Sequence, residues 1–79
     1  MPADSTALLA HAHTLGADAD ALAECAVRLR DLAARLRAHD AAPPWLYETM
    51  NAHITACVVA STDLAEAAAR MRNYADLVR

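Results

Sequence analysis

Two successive prolines, Pro43 and Pro44, stand just past the middle of this 79-residue chain and divide it into arms of similar length. Proline lacks a backbone N–H and its ring clashes with the preceding turn, so a continuous helix cannot run through the pair. Pro44 is suited to the first position of a new helix, where the absent donor has no intrahelical partner anyway. No other proline lies between Ala3 and Arg79. The chain is therefore expected to be all-α, an antiparallel helical hairpin with helix 1 over about 5–41, a turn at 42–44 and helix 2 over about 45–78.

The spacing of large and small residues supports that topology. Leu8, Leu15, Leu22, Leu29 and Leu36 recur at seven-residue steps, and Ala12, Ala19, Ala26 and Ala33 follow the first four of them by four residues. That is a heptad seam with leucine at one position and alanine at the other. The second arm repeats the period with Met50, Cys57, Leu64, Met71 and Val78, alongside Tyr47, Ile54, Ser61, Ala68 and Ala75. Folding back at Pro43 sets Leu36 against Met50, Leu29 against Cys57, Leu22 against Leu64, Leu15 against Met71 and Leu8 against Val78. This coiled-coil register defines the expected hairpin seam. Asp4 or Ser5 is expected to cap helix 1 through a side-chain oxygen. Glu24–Arg28, Asp31–Arg35 and Glu66–Arg70 are acid-before-base pairs four apart on what reads as a solvated face.

A single hairpin of this size is one small domain with one internal seam. Its 57% apolar content is weighted towards alanine, Phe is absent, and aromatics make up 4%. Chains below about 70–80 residues seldom bury enough surface without disulfides, metal or oligomerisation. Val27, Leu32, Val58, Val59, Tyr74 and Leu77 lie outside the seam positions and suggest a second interface. Pairing of two hairpins into a four-helix bundle, as a homodimer or with a related hairpin or larger effector, would cover it.

Composition and spacing argue against several kinds of chemistry. A net charge of −3 gives no electrostatic footprint for nucleic acid. The longest apolar run, 56–60, is far short of the ~20 residues of a membrane span. Asp4, His11 and His13 interrupt the start of the chain and no basic n-region precedes them, so no conventional signal peptide is expected. His11 and His13, two apart, point to nearly opposite sides of a helix. His53 and Cys57 share a face but supply two ligands where zinc takes three or four. Cys57 beside His53 meets part of the requirement for a nucleophile, without a cleft to hold the rest. Neither a catalytic residue nor a metal or cofactor site is expected. Cys25 and Cys57 lie on different arms; a bridge is possible in principle, and a free thiol behaving as a small hydrophobe is the commoner case.

The turn carries the most specific signal. Trp45 and Tyr47, with Leu46 between them, read either as a cap on the end of the core or as a partner-binding platform at the hairpin tip.

A lone tryptophan in a turn between two alanine-rich helices, with about forty residues before it, resembles the WxG (Esx-like) family of type VII secretion substrates. It is also similar to related small secretion-associated proteins of actinobacteria. Trp45 occupies the place of the family's turn tryptophan; Tyr47 stands where the family has glycine. The resemblance implies helical hairpins paired into four-helix bundles, and a non-enzymatic secretion or targeting partner. It also implies a cytoplasmic protein that can be exported through a type VII system without a cleaved signal peptide. The family's export signal is Tyr, three residues, then an acid, and neither Tyr47 nor Tyr74 starts one, so a pairing partner would carry it. A cytosolic adaptor, chaperone or antitoxin-like module that sheathes a helical surface is the alternative expectation.

Overall fold

Alanine-rich sequence without internal proline propagates as helix because alanine loses no side-chain entropy there. In the computed structural model, which describes residues 3–78 and side chains from Ser5 to Val78, two long helices follow from it. Helix α1 spans Ala3–Ala38 and helix α2 spans Pro44–Leu77. They pack antiparallel as a hairpin measuring 59 × 14 × 12 Å, with a radius of gyration of 17.7 Å. A compact chain of this length would have a radius near 12 Å, so the molecule is a rod with no third layer.

The turn is built differently from the sequence expectation. Helix α1 stops at Ala38, three residues before the expected end. Asp40 enters the left-handed region at φ 48°, its N–H donates to the Arg37 carbonyl at 3.1 Å, and the Ala41 N–H donates to Leu36 at 3.0 Å. This pair of bonds is the Schellman arrangement that closes a helix C-terminus. Glycine usually occupies the left-handed position; here an aspartate does, which is why the stop is hidden in the sequence. Pro43 then sits extended at φ −71°, ψ 156° as the N-cap of α2, Pro44 opens the helix, and Leu46 N–H donates to Pro43 at 3.0 Å.

The start of α1 also differs. Ser5 does not cap: it lies inside the helix, wholly buried, and its hydroxyl donates to the Ala75 carbonyl of α2 at 3.3 Å. Ser61, half-buried, donates in the reverse direction to the Ala19 carbonyl at 2.7 Å. These two bonds fix the register. Continuing it sets Ala12 against Ala68, Ala26 against Ile54 and Ala33 against Tyr47.

The line of closest approach therefore follows the small residues. Ser5, Ala12, Ala19, Ala26 and Ala33 form the buried row of α1, each at most 3% exposed, and Ile54, Ala68 and Ala75 are buried opposite them. The leucine row was expected to hold the seam, yet Leu8, Leu15, Leu22, Leu29 and Leu36 are only half-buried. Cys57, Leu64 and Met71 are half-buried as well; Met50 is 7% exposed and enclosed, and Val78 is 38% exposed. The reason is angular. At about 100° per residue, each leucine lies three or four positions from a buried alanine and so projects to one side of it. Met50, Cys57, Leu64 and Met71 hold the equivalent positions around Ile54, Ser61 and Ala68, and in an antiparallel pair they fall on that same side.

Of the three acid–base pairs, Glu66–Arg70 closes, at 2.6 Å with both side chains largely exposed. Among the described residues Glu24–Arg28 and Asp31–Arg35 do not form ion pairs. Solvent-exposed pairs of this kind contribute little in either state.

Candidate functional site

The hairpin has two unlike long sides, one on each flank of the alanine line. On one, the half-buried leucines of α1 and the Cys57, Leu64 and Met71 of α2 make a continuous apolar ridge. Leu32 and Tyr74, 43% and 57% exposed, extend its rims. On the other lie Gly16, Ala23 and Arg30 of α1 and Asn51, Ala65 and Arg72 of α2, with Leu9 and Val58 as the large apolar members. An open groove of about 380 Å³ runs there, floored by Gly16, Ala65 and Ala68 and edged by His13, Asp20 and Arg72. A methyl group added at Gly16 would meet no atom within 4 Å, so the groove is open at that point.

The six residues expected to make a second interface are all exposed, but they do not share a face. Helical geometry puts Leu32 and Tyr74 beside the leucine ridge, Val27 and Val58 towards the opposite side, and Val59 and Leu77 away from the partner helix. The contiguous apolar surface is instead the ridge made by the expected seam residues. The signal that locates it is the alanine row, four residues after each of the first four leucines: two rows so close in angle cannot both lie on the axis of contact when one of them is small enough to let backbones meet.

At the tip, the three turn residues separate. Trp45 is 64% exposed and caps nothing. Leu46 and Tyr47 are half-buried, and the Arg37 guanidinium lies 4.6 Å from the centroid of the Tyr47 ring. That cation–π contact ties the end of α1 to the start of α2. Of the two aromatics, Tyr47 closes the end of the seam and Trp45 faces solvent.

Cys25 and Cys57 are free and half-buried, and helical geometry puts both on the leucine side. Partial burial pushes the Cys57 thiol up from its usual range, and the adjacent Cys25 thiol adds to the effect by hydrogen bonding and charge. The register expected from the sequence opposes Cys57 to Leu29; the observed one opposes it to Ala23, two positions from Cys25. Among the described residues no three of His, Cys, Asp and Glu gather as metal ligands, and no helix is long and apolar enough to cross a membrane. His53 is exposed and Cys57 half-buried.

No protein-family model, curated protein or solved structure was found to match this chain.

Proposed function

We propose that this protein is a non-enzymatic interaction module that lays its leucine ridge against a second helical hairpin, completing a four-helix bundle. The observation that carries this reading is the half-covered ridge and the surface that goes with it. The chain exposes 5482 Å², against about 4,600 Å² for a compact monomer of its mass. The excess, roughly 900 Å², is close to the ~800 Å² that each partner contributes to a standard interface. The excess follows from the shape of the rod, and a second hairpin is a shape that covers it along its whole length.

The first partner to test is an identical copy. Light scattering on the eluting peak, across a concentration series, should give twice the chain mass, and Leu22→Asp or Leu29→Asp should give monomer at the same concentration. A cooperatively melting monomer at tens of micromolar would overturn the pairing.

The finer reading is a role as a type VII secretion or targeting partner, cytoplasmic until exported. What supports it is the resemblance at the turn together with the exposure of Trp45, since an exposed tryptophan is a ready anchor for a partner. Its test is export of the tagged chain from an actinobacterial host with and without the secretion ATPase. Equal amounts in the medium of both strains would remove this role and leave the pairing module standing.

A further inference from the structure

We propose that Cys25 and Cys57 are a redox-responsive dithiol that closes into a disulfide between α1 and α2, locking the hairpin shut on its leucine side. The placement comes from the register set by Ser5 with Ala75 and Ser61 with Ala19. That register opposes Ala26 to Ile54. Cys25 precedes Ala26 by one residue and Cys57 follows Ile54 by three, so both turn to the same flank of the seam. Their levels along the axis differ by two helical residues, about 3 Å at 1.5 Å per residue. The alanine line permits the close backbone approach that a bridge requires, with Cα atoms no more than about 7 Å apart. Both residues are half-buried rather than sealed, so a small oxidant can reach them.

The chemistry needs an external two-electron acceptor, and a small-molecule disulfide serves. The Cys25 thiolate attacks one sulfur of that disulfide, forming a mixed disulfide and expelling one thiolate. Cys57 then gives its proton to solvent and attacks the Cys25 sulfur, expelling the second thiolate. The protein loses two protons and two electrons, and the reagent is reduced to two thiols. Partial burial and the neighbouring Cys25 push the Cys57 thiol up from its usual range, so closure of the bridge should quicken as the pH rises and the Cys57 thiolate forms.

Closing the bond has a consequence for the ridge. Cys57 lies in line with Met50, Leu64 and Met71, so the disulfide sits within the apolar surface itself. Oxidation would fix the spacing of the two helices exactly where a partner must seat, and reduction would restore their freedom to adjust.

The test uses the full chain in buffers of graded oxidised and reduced glutathione, quenched by alkylation. The expected product loses two hydrogens in intact mass, resists alkylation after denaturation, and yields tryptic peptides 1–28 and 38–70 joined through Cys25 and Cys57. Its melting temperature should rise by about 10 °C over the reduced chain, and Cys25→Ser and Cys57→Ser should each abolish the joined peptide and the rise. Oxidised chains that carry two glutathiones, or that link only to other chains, would overturn the proposal. So would a joined peptide with an unchanged or lowered melting temperature, because the bond would then strain the hairpin instead of locking it.

Discussion

Ser61 of α2 donates its hydroxyl proton to the main-chain carbonyl of Ala19 in α1 at 2.7 Å. A side chain can reach the opposite helix's backbone in this way only because alanine at that level leaves the carbonyl uncovered. Together with the longer Ser5–Ala75 bond it sets the register of both helices. An intramolecular hydrogen bond contributes about 0.5–1.5 kcal/mol net. Ser61→Ala should therefore lower stability by about 1 kcal/mol in urea titrations with an unchanged slope. Ser5→Ala should cost less, its bond being longer and near the helix end. If Ser61→Ala were neutral, the bond would be incidental to the register.

The alanine line makes a second, sharper demand. Ala26 is 1% exposed and faces Ile54, so a larger side chain there must push the helices apart. Ala26→Leu should cost about 1–3 kcal/mol by overpacking. Ala21→Leu, two residues from Ala19 on the exposed back of the same helix, should be close to neutral. A far-ultraviolet thermal melt of the two variants distinguishes them. Equal melting temperatures would mean that the helices do not meet along this row.

Much of this architecture was legible in the sequence. The Pro43–Pro44 break, the seven-residue period and the size contrast between Leu22 and Ala26 together dictate two antiparallel helices. What the period could not decide was which of two rows, one leucine and one alanine, lies on the line of contact. Both repeat every seven residues, and the choice depends on how closely the backbones approach, a property of the pair and not of either arm. The leucines won the sequence argument because large residues usually fill cores; in the folded hairpin the alanines and two serines take the contact, and the leucines become a flank. The placement of the thiols was missed for a different reason: folding at Pro43 opposes Cys57 to Leu29, whereas the Ser5–Ala75 and Ser61–Ala19 bonds centre the pairing near Asp40 and bring Cys25 within two residues of the level of Cys57. The early end of α1 was hidden because the left-handed residue is aspartate.

That aspartate gives a prediction of opposite sign. At φ 48° Asp40 carries a conformational cost that glycine would not. Its carboxylate also sits at the negative end of the α1 dipole, which is the unfavourable end for an anion. Asp40→Gly should stabilise the hairpin by about 0.5–1 kcal/mol, part of the relief being returned as extra freedom of the unfolded chain. Asp40→Ala removes the charge but keeps the strained geometry, so it should gain less. Chemical denaturation of both variants is the measurement, and a glycine variant no more stable than the alanine one would show that the turn is not strained at this residue.

Gly16 offers the complementary test, because it separates what the hairpin needs from what a partner needs. It lies inside α1 with an ordinary helical φ, and a Cβ built there meets nothing within 4 Å. Glycine in a helix interior costs about 0.8–1 kcal/mol relative to alanine. Gly16→Ala should therefore raise the stability of the isolated hairpin by about that amount, with no penalty from packing. The same methyl group would enter the groove beside Ala65 and Ala68, on the side away from the leucine ridge. If pairing uses the ridge, the Gly16→Ala chain should associate as the parent does while melting higher, and Gly16→Leu should likewise leave the mass of the assembly unchanged. Loss of association in Gly16→Leu, with helix content and melting preserved, would assign the interface to the groove side and remove the ridge from the pairing.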